Sequence, residues 1–407
     1  MKFSRQAESI RTSKILEAAA EINLRNQRGE EIDNLTIGDF DSRIFPVPEA
    51  LAEAVAAAYR DRETNYPGAT GMPRLREAVA EMLKRLCAAP VRAEDVLIAG
   101  GTRPLIYALY QSVLDAGERV VYPVPSWNNR AYAELAGAEA VEVEAGADNN
   151  FMPRAEQLAP HLGEAALLAL CSPQNPTGTL FAEENLREIC ELVVAENRRR
   201  GSGKKPLYVM FDQVYWALTF GGAFRHPLAL CPQIADCAVF VDGLSKAYAA
   251  TGLRVGWATG PRDLLAKMSS LIAHIGAWAP RPEQVAAGMF LEDERAVDRH
   301  LERFRERLSA RLEAFHEGFR ELKARGRGID AIAPQAAIYL SVKIAAKNMG
   351  DEELRAHLLN EAKIGILPFS WFGARDAKNW FRLSVGACRR ARIPEIIARL
   401  DGALGKL

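Results

Sequence analysis

Lys246 is the residue whose type and setting most directly indicate chemistry. It follows the apolar run AVFVDGL, which is typical of a buried strand, and it precedes the segment AYAATGLRVGW. An ammonium group in a partly apolar pocket loses hydration, so its pKa falls and its amine becomes a nucleophile for a carbonyl compound. A solvated surface lysine is the alternative, since most lysines lie at the surface. The adjoining Ser245, Gly252 and Arg254 favour the first interpretation.

Three further polar residues follow apolar runs in the same way. Asn175 lies in SPQNPTG after the run LLALC, Asp212 ends the run LYVMFD, and Tyr215 comes three residues later. A carboxylate at the end of a buried strand needs a partner. Because ligands of parallel sheets gather at the carboxyl edge of the strands, we expect these side chains and Lys246 to line one site.

Two other segments predict anion-binding sites. The turn AGGTRP contains Gly101, Thr102 and Arg103 and comes directly before a predicted helix. Its free amides and the helix dipole are suited to an anion. Arg382 lies inside the apolar strand FRLSVG, and an arginine in such a place is seldom buried without a partner anion.

The windows NPTG, D-x-x-Y and SKAYAATGLRVGW, in this order along the chain, resemble the signatures of the fold-type I aminotransferases, closest to the aspartate-aminotransferase-like branch. The resemblance implies pyridoxal 5'-phosphate as cofactor, bound to Lys246 as an internal aldimine. The residues implied to contact the cofactor phosphate are Ser245, Arg254, Gly101, Thr102 and Arg103. The family often has glutamine in place of the last of these, and Gly243 stands where many relatives have a hydroxyl residue.

The same resemblance implies contacts to the cofactor ring. Asp212 would pair with the pyridinium nitrogen, while Asn175 and Tyr215 would hydrogen-bond the phenolic oxygen. Trp127 follows the predicted strand RVVYPVP and would stack on the pyridine face, next to the substrate. Core packing is the alternative for this indole.

The family also implies residues for the substrate. Arg382 would hold the α-carboxylate in a bidentate pair, next to Asn175. Gly38, in LTIGDFD, would lie near that carboxylate, and a turn glycine is the alternative. Trp278 and Arg281 replace the small polar residues common in relatives. Trp278 would narrow the side-chain pocket, whereas Arg281 would either meet an acidic side chain or lie on the surface.

Tyr66 bears on the oligomeric state. The segment TNYPGATG resembles a family segment whose tyrosine reaches the cofactor phosphate of the neighbouring subunit. The resemblance therefore implies a homodimer with shared active sites. A tyrosine that anchors its loop on its own core is the alternative.

Composition excludes several other classes of protein. The 407 residues carry 52 basic and 52 acidic side chains, so no net field attracts nucleic acid or a membrane. The amino terminus lacks the apolar core of a signal peptide, and we expect a cytoplasmic protein. No metal motif is present, and the cysteines are dispersed without a C-x-x-C pair, which favours a reducing compartment. They are Cys87, Cys171, Cys190, Cys231, Cys237 and Cys388.

The elements that position these residues alternate between strand and helix. This rhythm predicts an α/β fold with a mostly parallel sheet and helices on both faces, followed by a smaller α+β domain. We expect an amino-terminal segment over 1–47, a large cofactor-binding domain over 48–290 and a small domain over 291–407. Residues 13–28 predict an amphipathic helix, and Leu35–Asp41 a short strand that runs into a loop.

These assignments predict an aminotransferase that moves an amino group from an α-amino acid to a 2-oxo acid by a ping-pong mechanism. Lys246 would transfer protons, Asp212 would keep the ring nitrogen protonated, and Tyr215 would support the phenolic oxygen. Two alternatives stay open: a lyase or decarboxylase that uses the same cofactor, and a non-catalytic regulatory protein that binds it.

Overall fold

The computed structural model describes residues 2–9, 13–346 and 348–407. Its α-helices are α1 (Arg5–Ser9), α2 (Lys14–Gln27), α3 (Glu49–Arg60), α4 (Pro73–Cys87), α5 (Thr102–Val113), α6 (Asn129–Ala136), α7 (Ala155–Leu162), α8 (Glu183–Arg200), α9 (Pro227–Leu230), α10 (Leu244–Ala247), α11 (Arg262–His274), α12 (Arg281–Glu292), α13 (Glu294–Ala324), α14 (Asp351–His357) and α15 (Ile393–Leu404). Its strands are β1 (Asp33–Asn34), β2 (Val96–Ala99), β3 (Arg119–Val124), β4 (Glu139–Glu144), β5 (Ala165–Cys171), β6 (Tyr208–Asp212), β7 (Ala238–Gly243), β8 (Gly256–Thr259), β9 (Ile329–Ala331), β10 (Tyr339–Ile344), β11 (Ile364–Gly365), β12 (Leu367–Pro368) and β13 (Trp380–Ser384).

The larger sheet has the strand order β2-β8-β7-β6-β5-β3-β4. Five adjacent strands are parallel to one another: β4, β3, β5, β6 and β7. Strand β8 runs antiparallel to both β7 and β2. Buried side chains alternate between its two faces: Val96 and Ile98 pack with α4 and α12, whereas Leu97 and Ala99 pack with α5 and α11. This two-residue period places helices on both faces and confirms the predicted α/β class.

The smaller sheet is antiparallel, in the order β12-β13-β10-β9. Its apolar face packs against α13 and α15. The amino-terminal segment joins this part of the molecule, because β1 pairs with β11. Within α13, Val297 and Leu301 pack with the large-sheet core, whereas Phe304 packs with the small-sheet core. We propose the division into 1–47, 48–290 and 291–407 on these contacts, with α13 shared by both cores.

The helix predicted over residues 13–28 is confirmed as α2. For Leu35–Asp41, predicted as a short strand that runs into a loop, the strand is wrong. The strand in this region is β1, which is confined to Asp33–Asn34. Side chains take the carbonyl groups that a longer strand would need: Arg382 donates to the Thr36 oxygen and Ser384 to the Ile37 oxygen. Side-chain hydrogen bonds of this kind offer the backbone an alternative to a strand ladder. Across the described ranges, no helix is long and apolar enough to cross a bilayer.

Candidate active site

One cavity of about 780 Å³ opens at the carboxyl edge of the large sheet, where the amino-terminal segment and the small sheet close over it. Most of the residues predicted for the site line this cavity. They are Gly38, Thr102, Arg103, Trp127, Asn175, Asp212, Tyr215, Ser245, Lys246, Arg254 and Arg382. Strand ends of a largely parallel sheet meet at one edge, and this explains why residues so distant in sequence converge.

Lys246 lies on the single-turn helix α10, directly after β7. Its Nζ donates a hydrogen bond to the carbonyl oxygen of Gly38 at 2.5 Å. Burial lowers the pKa of Lys246 to about 8, and the nearby Asp39 carboxylate partly offsets this effect. About a tenth of the amine is therefore unprotonated at pH 7, against well under a hundredth for an ordinary lysine, and a nucleophile or general base requires this form.

Asp212 is the last residue of β6 and is paired with Cys171 of β5. Burial raises the pKa of its carboxyl group to about 6. Within the described ranges the carboxylate accepts one hydrogen bond, from the amide of Val214 at 3.2 Å. A buried carboxylate with so few donors is suited to an N–H group of a ligand, preferably a cationic one.

Arg382 crosses from β13 of the small sheet into the cavity. Its Nη1 donates to Asn175 Oδ1 at 2.9 Å and its Nη2 to the Thr36 oxygen at 2.6 Å. The guanidinium lies over the rings of Tyr339 and Phe372, at 4.6 and 5.0 Å from their centroids. It is 1% exposed, and its Nε has no hydrogen-bond partner in the described structure. Because no described carboxylate forms an ion pair with it, this cation is available for an anion from outside the chain.

Tyr215 lies three residues beyond Asp212, and its hydroxyl is 2.6 Å from the hydroxyl of Tyr339 on β10. Burial raises the pKa of both phenols, so both are neutral hydrogen-bonding groups at neutral pH. Sequence reasoning missed Tyr339 as a cavity residue. Its segment AIYLSVKI has the composition of a core strand, and only the polar Ser341 two positions later indicates a face with polar partners.

Gly101 and Arg254 form a tight anion cradle at the start of α5. Gly101 has φ of 93°, and a Cβ atom there would lie 2.2 Å from Arg254 Nη2. Arg254 donates to the oxygens of Thr251 and Gly100, which fixes its guanidinium beside the first amides of the helix. Thr102 is the first residue of α5. A helix amino terminus next to an oriented arginine and free of side-chain bulk fits a phosphate group.

Arg103 and Trp127 form a cation–π pair at the rim of the cavity, with the guanidinium carbon 4.8 Å from the ring centroid. Trp127 also packs beside Ile15 of α2 and Trp371. The indole is therefore held both by the core and by Arg103. Its other role, stacking on a bound ring, stays a prediction.

Tyr66, Trp278 and Arg281 lie outside this cavity. They line a separate surface depression of about 740 Å³, here named the aromatic recess, together with Tyr59 and neighbouring residues. Tyr66 is 83% exposed, and its ring is in edge contact with Trp278 at 5.4 Å. Arg281 is paired with Glu63 of the same chain at 2.6 Å. The structure therefore does not bring these residues to Lys246 within one chain.

A sequence profile of the aminotransferase class I and II family matches residues 30–400. The chain belongs to this family. It is similar to the aspartate aminotransferase of Geobacillus stearothermophilus, with 28% identity over 384 residues, 92% of this chain and 93% of that protein. It is also similar to the aspartate aminotransferase of Streptomyces avermitilis, with 30% identity over 387 residues, 91% and 90% of the two chains.

The fold gives the same result. The structure of Thermus thermophilus aspartate aminotransferase with maleate superimposes with a TM-score of 0.89, covering 99% of this chain and 100% of that one at 26% identity. The predicted class, a fold-type I pyridoxal-phosphate-dependent aminotransferase, is thus confirmed.

Proposed function

We propose that this enzyme moves an amino group from an α-amino acid to a 2-oxo acid in two alternating half-reactions, with Lys246 as the covalent attachment point of pyridoxal phosphate. One observation carries the proposal. The buried Lys246 amine, with a pKa of about 8, shares a single cavity with the Asp212 carboxylate and the unpaired Arg382 guanidinium. Bound pyridoxal phosphate would supply a ring that accepts the electron pair of a bond broken at the substrate α-carbon.

The residues that line the cavity fit pyridoxal phosphate. The Gly101–Arg254 cradle, with Thr102, Ser245 and Arg103, is suited to hold the phosphate. Asp212 has few donors of its own and is suited to keep a ring nitrogen protonated. Asn175 and Tyr215 would bind the phenolic oxygen, and Trp127 would cover one face of the ring. We infer these contacts from the geometry of the cavity and from the family pattern.

Substrate would bind on the small-sheet side of the cavity. Arg382 would form a bidentate pair with the α-carboxylate, close to Asn175 and to the backbone at Gly38. The free Lys246 amine would then remove the proton from the substrate α-carbon and return it at the aldehyde carbon of the cofactor. The relatives are named for aspartate, so aspartate with 2-oxoglutarate is the first donor and acceptor pair to test.

We also propose a homodimer in which Tyr66 completes the phosphate site of the other subunit. An 83% exposed tyrosine in edge contact with an indole has no anchoring role in its own core. Exposed aromatic side chains of this kind are typical of interfaces. A cytoplasmic location is retained as a prediction of the sequence.

The decisive experiment is Lys246→Ala. We expect loss of the visible absorbance of bound cofactor and a fall in turnover of about 10³-fold or more. The exposed Lys267→Ala on α11 is the matched control and should leave both unchanged. Retention of both properties in Lys246→Ala would refute the assignment.

Product analysis separates the alternatives. An aminotransferase forms glutamate from 2-oxoglutarate and gives no net product without an acceptor. A lyase or decarboxylase turns over without the acceptor, and a regulatory binding protein gives the absorbance without turnover.

A further inference from the structure

Tyr339 and Tyr215 form a hydroxyl pair between the two sheets. Tyr215 follows β6 of the large sheet, Tyr339 begins β10 of the small sheet, and their oxygens are 2.6 Å apart. The side chains are 2% and 1% exposed, and both residues line the cavity. The pair is therefore shielded from bulk water except through the cavity itself.

The geometry fixes the direction of this hydrogen bond once the cavity is occupied. Each phenol has one proton to donate. Within the described structure Tyr215 is the only hydrogen-bond partner of the Tyr339 hydroxyl. When Tyr215 donates to a ligand, its oxygen must accept from Tyr339, since otherwise the buried Tyr339 proton has no acceptor.

Two neighbours reinforce this arrangement. The Arg382 guanidinium lies 4.6 Å from the Tyr339 ring centroid, and a cation so close makes a phenol a stronger donor. Gly38 leaves the space that the hydroxyl occupies, because a Cβ atom at this position would be 2.8 Å from the Tyr339 oxygen. The small side chain at 38 and the hydroxyl at 339 therefore fit each other.

We propose that Tyr339 is a positioning residue that donates to Tyr215 and so orients and strengthens the hydrogen bond from Tyr215 to the phenolic oxygen of the cofactor. The proposal rests on the proposed function, since it requires a ligand oxygen at Tyr215. It assigns the small sheet a second contribution to the site besides Arg382. When one group accepts one hydrogen bond and donates the next, the two bonds strengthen each other by roughly 10–30%.

A spectral titration tests the proposal. The visible absorbance of the loaded enzyme reports whether the Lys246 nitrogen is protonated. When the protein donates a weaker hydrogen bond to the phenolic oxygen, this nitrogen keeps its proton to higher pH. We expect Tyr215→Phe to raise the midpoint by about one pH unit and Tyr339→Phe by about 0.3–0.5 unit. The double variant should match Tyr215→Phe alone, because Tyr339 acts through Tyr215.

Tyr248→Phe is the matched control. Its hydroxyl is also buried, donates weakly to Met82 Sδ at 3.6 Å, and lies outside the cavity, so its midpoint should equal that of the wild type. An unchanged midpoint in Tyr339→Phe beside a raised one in Tyr215→Phe overturns the proposal. So does a double variant whose shift is the sum of the two. Failure of the proposed function looks different: the wild type would show no visible band that depends on Lys246.

A second test needs no cofactor. Gly38→Ala should lower the unfolding temperature of the unloaded wild type by roughly 3–8 °C, because the new methyl group meets a buried hydroxyl. In the Tyr339→Phe background, Gly38→Ala should lower the unfolding temperature by less than half as much, because the nearest ring carbon lies 3.8 Å from the Cβ position of residue 38. Equal costs in both backgrounds would contradict the placement of the hydroxyl and overturn the proposal.

Discussion

The main cavity and the aromatic recess contain similar residue types in opposite states. In the cavity, Lys246 is partly buried and Arg382 fully buried, and neither forms an ion pair with a carboxylate of the described residues. In the recess, Arg281 is partly exposed and already neutralised by Glu63, while Tyr66 is almost fully exposed. Buried cations without counter-ions destabilise a fold, whereas surface ion pairs contribute little in either direction.

The contrast between the main cavity and the aromatic recess indicates where function is concentrated within one chain. Burial of Lys246 and Arg382 opposes folding, and the proposed binding of cofactor and substrate would account for their positions. The recess needs no such explanation within one chain, and the proposed second subunit would account for the exposure of Tyr66. Four substitutions, at Arg382, Lys246, Tyr66 and Arg281, test this contrast.

Arg382→Lys keeps the positive charge but loses the fork of donors. The single ammonium cannot reach Asn175, Thr36 and a substrate carboxylate together, so we expect kcat/KM to fall by about 10²-fold. Steady-state kinetics with aspartate as donor measure the effect. Retention of the visible absorbance of the loaded enzyme is the control for cofactor binding. A loss of less than threefold would mean that Arg382 does not hold the carboxylate.

Lys246→Met tests the cost of burying the lysine. The pKa of Lys246 in the folded chain, about 8, lies below the ordinary value of 10.5. Between these two pH values the unfolded chain binds more protons than the folded chain, so the stability of the wild type rises with pH. Below pH 8 the unloaded variant should be more stable by about 3 kcal/mol, and the gain should vanish by pH 10.5.

Chemical denaturation at a series of pH values measures this gain. Lys267→Met, at an exposed position on α11, is the control and should show no gain that depends on pH. A constant difference between pH 7 and 10.5 would show that Lys246 is not held in the partly desolvated state that its geometry indicates.

The sequence predicted most of the cavity because its residues follow apolar strands, and parallel strands bring such positions to one edge. It did not predict the contacts that depend on the packing of distant segments. Tyr339 meets Tyr215 across 124 positions, and Arg281 meets Glu63 across 218. Neither pair has a local pattern, because a tyrosine in a strand and an arginine near a turn have many possible partners.

The wrong strand at Leu35–Asp41 has a related cause. Its composition is compatible with a strand, but the side chains of Arg382 and Ser384 take the carbonyl oxygens at Thr36 and Ile37. The residues that override the local preference lie almost 350 positions away. Local reasoning therefore failed at the place where the amino-terminal segment becomes part of the site.

Tyr66→Phe tests the role of the recess in a second subunit. If the Tyr66 hydroxyl binds the partner's cofactor phosphate, its loss should weaken cofactor affinity by about tenfold. Equilibrium dialysis of the cofactor measures this, with Tyr59→Phe as the control for the recess.

Subunit mixing sharpens the same test. Lys246→Ala and Tyr66→Ala, assayed at a cofactor concentration too low to saturate Tyr66→Ala, should regain activity when refolded together, because a mixed dimer contains one site with both residues intact. Activity no greater than the sum of the separate variants would confine Tyr66 to its own chain.

Arg281→Gln should have the smallest effect. Its partner Glu63 and its partial exposure limit the ion pair to about 0.5 kcal/mol of stability, and turnover of an apolar donor should not change. Glu63→Gln is the matched control, since it breaks the same pair and keeps the arginine. If Arg281 instead met an acidic side chain of the substrate, only Arg281→Gln would raise KM for aspartate while leaving apolar donors unaffected. Equal behaviour of the two variants would establish that Arg281 serves its ion pair with Glu63 rather than the choice of substrate.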